Sequence, residues 1–473
     1  MAHSNQGRFR QQVSFLRRQF LQEGNLPFTD VLSEEMVKQA LTAVGACWLD
    51  RVYSPLVTLW VFLGQVLSED HSCRKAVARL IAHRLSQGQR ACSAVTGAYC
   101  QARKRLPEKF FSDVARQAGQ TLDAGARSDW LWKGRRVLIF DGSTVSMPDT
   151  PENQQAYPQV DTQKPGLGFP IARIAALFSL SCGAVVDLGI CRYAGKGQSE
   201  LSLLRALWDN FRPGDILLAD SLMCAWTEIA MLKQRGGDYL CHLNSSNRNA
   251  DFGLGKILSI DDHIVEWLKP QKPRTIDQKT YNTLPEFLTI RECCFRVEQA
   301  GFRCKEIILV TTLLDADEFT VNDLAGLYRA RWNAELDLKS LKSVMQMDVL
   351  RCKTPELVRK EIWTHILAYN LIRTIMAQAA SKHNIEPRTV SFKGTLQTLE
   401  AFQPVIALRG QHDHAFCMHL YQQLLDCIVS HRVADRPDRY EPRLRKRRPK
   451  HYAFLRKPRK EVKLEMAKGV TEI

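Results

Sequence analysis

Apolar positions recur about every 3.6 residues through residues 1–130. MVKQALTAVGACWL, PLVTLWVFLGQVL, CRKAVARLIAHRL, VTGAYCQARKRL and FFSDVARQAGQTL each carry this spacing, with breaks between them. The pattern predicts an all-α region. From Trp130 it changes to short β-rich runs, RRVLIFDGSTVSM, ARIAALFSLSC and GAVVDLGICRYAG, separated by small residues and Gly. SELSLLRALWDNF then predicts a helix with Ser199 as N-cap and Pro213-Gly214 closing the unit. DILLAD reads as a buried strand, SLMCAWTEIAMLKQRGG as a helix with a glycine stop, and DYLCHLN as another strand. The order βββαβαβ predicts an α/β layer fold.

Between Ser245 and Glu318 both periodicities lapse, and short runs such as FLTIRECCFRV and CKEIILVTTLL predict a mainly β insertion. A helix carrying YRARWNAELDLKSLK follows, then a long one, LVRKEIWTHILAYNLIRTIMAQAA, whose apolar face should pack on the α/β core. The stretch Arg432–Lys460 is Arg/Lys/Pro-rich without periodicity and predicts an extended arm. The expected units are 1–130 (helical, DNA-binding), 131–244 (first part of the core), 245–319 (β insertion), 320–400 (second part of the core) and 401–473 (C-terminal helix and basic arm).

Composition narrows the function. The 473 residues, 45% of them hydrophobic, exclude general disorder and allow a large core in two to four units. A formal net charge of +16 favours a polyanionic partner, nucleic acid before membrane. Arg74, Lys75, Arg79 and Arg84, then Arg103, Lys104 and Arg105, put positive charge on successive helices, as a DNA-contacting bundle would. Fourteen scattered cysteines with no CxxC pair fit the reduced thiols of a cytoplasm. The opening residues lack the pattern of a secretory leader, and the apolar run Val52–Leu67 is too short and interrupted to span a membrane.

The candidate chemistry begins in the helix after the insertion. At about 100° per residue, Tyr328, Arg331, Glu335 and Lys342 share an arc of roughly 60°. Leu324, Leu327, Leu338, Leu341 and Met345 fall beside it and would carry the quartet to the edge of a core. Taken alone, the quartet reads first as a surface helix with spaced ion pairs. Asp141 follows the apolar run VLIF and precedes Gly142-Ser143-Thr144, which suggests a local turn, and Asp220 closes ILLAD. Each Asp alone reads as a turn residue or helix cap. With Glu335 they make three hard oxygen donors suited to Mg²⁺ or Mn²⁺, the ions that assist in-line attack on a phosphodiester. GICRYAGKG departs from a P-loop in spacing and lacks its Ser/Thr, so ATP is not implied. His242, His365 and His431 show no paired spacing for zinc.

The spacing of Tyr328, Arg331, Glu335 and Lys342 resembles the Y-(2)-R-(3)-E-(6)-K signature of the insertion-sequence-four family of DDE transposases. Asp141 in FDGST and Asp220 in LLADS resemble that family's two catalytic aspartates, and DHSCRKAV, TGAYCQARKRLP, GKGQSELSLLR and HILAYNLIR extend the likeness. The resemblance implies an RNase H-like core interrupted by the β insertion between the second Asp and the Glu. It implies Mg²⁺ or Mn²⁺ at Asp141, Asp220 and Glu335, and phosphates held by Tyr328, Arg331 and Lys342. It further implies cleavage of the inverted-repeat ends of a mobile element in double-stranded DNA, hairpin formation by the freed 3′-OH, and joining to target DNA. A base flipped during hairpin formation would stack on an aromatic of the insertion, for which Trp267 stands, unless it covers a β core. Paired ends imply a homodimer on DNA, working in the cytoplasm. Two other readings are a DNA-binding regulator that has lost its chemistry and a nuclease of the same core without strand transfer.

Overall fold

The computed structural model describes residues 2–45, 51–246, 248–296, 306–409, 413–433 and 453–468. Six helices open the chain: α1 (Ala2–Gln19), α2 (Glu34–Ala43), α3 (Pro55–Val66), α4 (Cys73–Ser86), α5 (Gly97–Arg105) and α6 (Glu108–Ala124). Polar residues set several of their starts. Ser33, Ser54 and Ser72 each accept a backbone N–H from the first turn of α2, α3 and α4, and Pro55 supplies a preset φ at the start of α3.

The chain then forms β1 (Val137–Ser146), α7 (Pro151–Ala156), β2 (Ile171–Ser179), β3 (Val185–Arg192), α8 (Glu200–Ala206), β4 (Ile216–Leu218), α9 (Trp226–Gln234) and β5 (Asp238–His242). β1, β2 and β3 are an antiparallel meander, while β4 and β5 run parallel to β1 and are reached through α8 and α9. This is the mixed sheet expected of an RNase H-like core. The insertion span supplies β6 (Lys256–Ser259), β7 (Asp262–Leu268), α10 (Gln278–Thr283), β8 (Phe287–Arg296) and β9 (Glu306–Thr311). β9 pairs antiparallel with β5, so the sheet runs on without a break in the order β3-β2-β1-β4-β5-β9-β8-β7-β6. The inserted strands lengthen the core sheet and cover an edge that β5 would otherwise expose.

After the sheet come α11 (Val321–Ala330), α12 (Trp332–Lys339), α13 (Pro355–Lys382), α14 (Phe392–Arg409), α15 (His414–Ser430) and α16 (Arg459–Ala467). The expected boundary at 400 falls inside α14, and most of the expected basic arm, 434–452, lies outside the described residues. None of the described helices is long and apolar enough to cross a membrane.

The helix expected from Tyr328 to Lys342 is not one regular helix. Thr320 and Asp323 form a reciprocal capping box that starts α11, the α-helical hydrogen bonding is interrupted at Arg331, and α12 ends in a π turn over Ser340–Val344. A constant 100° step therefore does not place the quartet; the break and the wide turn do.

Helix α13 is buried along nearly its whole length between the sheet and the N-terminal helices. Several of its polar residues complete backbone hydrogen bonds inside the core. Asn370 accepts from the Val185 N–H at 2.8 Å and donates to the Val185 carbonyl at 3.0 Å and the Ala115 carbonyl at 3.2 Å, tying α13 to β3 and α6. Gly119 permits that approach, since a Cβ there would lie 2.0 Å from the Val185 oxygen. Asp337 of α12 is fully buried and is held by Arg373 of α13 and by Arg388, the latter at 2.6 Å, which fixes α12 over the sheet.

Candidate active site

Strand β1 is buried over Val137–Phe140 and emerges at Asp141, where the apolar run ends. Its pairing with β4 sets Ile139 opposite Leu218. Asp141 and Asp220 each lie two residues beyond that pair, so they leave the same face of the sheet on neighbouring strands. Gly142-Ser143-Thr144 does not turn, contrary to the sequence expectation. β1 continues in register with β2 to Ser146, and the Gly142 N–H is free to donate to Asp141 Oδ1 at 2.8 Å. A Cβ at Gly142 would lie 2.7 Å from the Glu200 carboxyl carbon, which accounts for a glycine here. Asp220 does act as a cap: its Oδ1 accepts from the Leu222 and Met223 N–H groups at 2.9 and 3.3 Å.

Glu335 approaches from α12, which packs on β1. Arg331, at the break between α11 and α12, connects the acids. Its guanidinium bonds Glu335 Oε1 at 2.9 Å and stands 4.0 Å from Asp141 Oδ2. The Asp141 carboxyl is pushed up to about 6, first by burial, with Asp220 and Glu335 adding to the rise and the Gly142 N–H and Arg331 opposing it. Arg331 thus does not offset the burial of Asp141.

Lys342 reaches back from the π turn and donates to Ser143 Oγ at 2.8 Å, and burial draws its ammonium below the usual lysine value. The half-buried Tyr328 phenol is raised to about 12 by burial and lies beside Arg331, with the His242 ring 6.2 Å away. Ser143 and His242 were missed by sequence reasoning; the FDGST context marks Ser143 only after Lys342 is placed against it.

The donor set suits a hard divalent cation. Among the described residues the three carboxylates do not gather to within 4.8 Å of one another, and Arg331 lies between two of them. A cation held by all three would place positive charge beside the half-buried Asp141.

Other expected DNA contacts divide. Arg74, Lys104 and Arg105 are exposed. Arg103 is not. It is only 4% exposed, its guanidinium lies over the Phe62 and Tyr99 rings, and it donates to Gln65 at 3.3 Å and to Cys73 Sγ at 3.4 Å. It therefore holds α3, α4 and α5 together instead of facing phosphate. Trp267 is 4% exposed in the core beneath the inserted strands, donates from Nε1 to Glu292 at 2.7 Å, and carries Arg248 over its ring. A base could stack on it only after Arg248 and its surroundings had moved.

Residues 132–371, which include all three carboxylates, match the family model described as the transposase DDE domain. The chain is 28% identical over 361 residues to the transposase InsG for insertion sequence element IS4 of Escherichia coli (strain K12), covering 74% of this chain and 76% of that protein. It is 42% identical over 69 residues to the transposase for insertion sequence element IS421 of Escherichia coli, covering 15% of this chain and 19% of that protein. A piggyBac transposase synaptic complex with hairpin DNA aligns with a TM-score of 0.42 at 9% identity, over 83% of this chain and 82% of that one. On the family match and the length of the first likeness, the chain belongs to the transposase DDE domain family and is an insertion-sequence transposase of the IS4 type.

Proposed function

We propose that this transposase cuts the inverted-repeat ends of its element and joins them to target DNA, using Asp141, Asp220 and Glu335 to hold Mg²⁺ or Mn²⁺. The observation that carries this reading is the matched placement of Asp141 and Asp220 on neighbouring parallel strands, with Arg331 linking Asp141 to Glu335. When bound, the divalent cation would supply Lewis-acid stabilisation of charge at the phosphodiester.

The chain's own groups do the positioning. Arg331 and Lys342 present charged donors at the same sheet face and hold the phosphates on either side of the cleaved bond, with the Tyr328 phenol as a further donor. Water opens one strand, the freed 3′-OH attacks the opposite strand to close a hairpin, and the reopened end attacks target DNA. Arg74, Lys104 and Arg105 on the N-terminal helices add contacts to the flanking duplex, whose strength falls with salt. Two copies of the chain pair the two element ends, in the cytoplasm. The likeness to InsG over three quarters of both chains supports this assignment.

The test is cleavage of a labelled duplex carrying the DNA that flanks the coding region, in Mg²⁺, resolved on denaturing gels. The wild type should nick the end and yield a hairpin, and Asp141→Asn should bind the duplex without cutting it. Equal cutting by Asp141→Asn would overturn the site assignment, and nicking without a hairpin or joined product would leave a nuclease.

A further inference from the structure

Two segments far apart in sequence meet in a second cluster of ligand-type side chains, away from the carboxylates on β1 and β4. His71 comes from the turn between α3 and α4, where its backbone is left-handed (φ 50°) and its carbonyl accepts from Gln65 Nε2 at 2.9 Å. Glu361 and His365 stand one turn apart on α13 and so share a face. One donor atom from each of the three lies within 4.8 Å of the others, and all three side chains are buried.

The hydrogen bonding of the cluster is incomplete. His365 is fully buried, yet neither of its ring nitrogens has a hydrogen-bond partner. Buried polar atoms left this way are costly, so such groups are rare without a ligand or water. A His–Glu hydrogen bond would be the simple remedy, and it is not formed. Glu361 instead accepts the Arg351 N–H at 3.0 Å and the Cys352 N–H at 2.8 Å, bonds that fix its position.

We propose that His71, Glu361 and His365 bind one transition-metal cation of the Zn²⁺ class, as a structural tie between the N-terminal helices and α13. Two imidazoles and a carboxylate are ordinary ligands for such a cation at about 2.0–2.2 Å, and a modest closure of the cluster would supply that geometry. Imidazole donors disfavour Mg²⁺, which separates this site chemically from the all-carboxylate set. The tie has a target worth fixing. The segment whose amides Glu361 holds also pairs with the far end of β1, through Ser146 N–H to the Asp348 carbonyl and Leu350 N–H to the Ser146 carbonyl, each at 2.9 Å. A cation here would therefore brace the strand that carries Asp141.

The experiment uses the full chain, freed of metal by a chelator and titrated with Co²⁺ while visible d–d absorption is followed. The expected result is one equivalent of Co²⁺ with tetrahedral-type bands, displaced by Zn²⁺ and unaffected by excess Mg²⁺, together with a Zn²⁺-dependent rise in Tm. His71→Ala and His365→Gln should each weaken Co²⁺ binding by more than about 100-fold, whereas Asp141→Asn should bind it like the wild type. Should His365→Gln fail to fold, His71→Ala, which alters a turn, still decides. No Co²⁺ absorption from the folded wild-type chain, or unchanged binding in folded His71→Ala, would overturn the proposal.

Discussion

Replacing Asp141 by Asn should stabilise the folded protein while abolishing its reaction. The Asp141 side chain is 19% exposed, and its carboxyl is raised from 3.8 to about 6, chiefly by burial. Because the folded carboxyl keeps its proton to higher pH than the unfolded one, folding is penalised above the folded value. The penalty fades as pH falls through 6 towards 3.8. That rise corresponds to about 3 kcal/mol at pH 7.5 and about half as much at pH 5. Asn keeps the size of the side chain and the acceptor for the Gly142 N–H, and it removes the buried charge. Thermal melts of wild type and Asp141→Asn should therefore give the variant the higher Tm at pH 7.5, with the gap narrowing at pH 5. Added Mg²⁺ should raise the wild-type Tm and leave the variant unmoved. A variant Tm at or below the wild type at pH 7.5, or a gap that does not change with pH, would refute the reasoning.

Asp337→Ala removes the carboxylate between the buried Arg373 and the partly buried Arg388 and should cost about 3–5 kcal/mol, seen as a large fall in Tm or in soluble yield. Lys342→Met should slow end cleavage by about 10- to 100-fold with Tm little changed, because it deletes one charge-assisted phosphate contact, worth about 1.5–3 kcal/mol. Lys104→Ala and Arg105→Ala should each lower the salt slope of duplex binding by about 1, read from titrations at several salt concentrations. Arg103→Ala should instead lower Tm, because that guanidinium fills the joint between helices.

Much of this was legible because the signals are local. The N-terminal helices α2 to α6 follow from apolar spacing, and VLIF and ILLAD announce two buried strand segments, with Asp141 following the first inside β1 and Asp220 lying just past β4. Their shared face follows from the parallel register of β1 and β4, which no local pattern specifies. The interruption at Arg331 and the π turn at Lys342 were invisible, since no local pattern marks them; they flank Asp337, which is held inside the core, and Lys342 meets Ser143 on β1. Arg103 was misplaced, and Trp267 takes the second of its two readings, as cover of a β core, for a common reason. Arginine and tryptophan read as surface and stacking residues, but here each is buried, with Arg103 Nη1 donating to Gln65 and Trp267 Nε1 to Glu292. Strands β6 to β9 were recognised as β-rich, yet their continuation of the core sheet rests on the pairing of β9 with β5. His365 gave no metal-type spacing because its companion, His71, arrives from another segment.

The most direct test of the central claim compares Asp141→Asn, Asp220→Asn and Glu335→Gln with the wild type, measuring cleavage and joining of element-end duplexes in Mg²⁺ or Mn²⁺ alongside binding of the same duplex. If the three carboxylates act as one site, each variant should bind the duplex within a few-fold of the wild type and lose cleavage by roughly 10³-fold or more, the loss expected when one member of a catalytic unit is removed. Wild-type cleavage by any one of the three, in protein that binds DNA normally, would contradict the account.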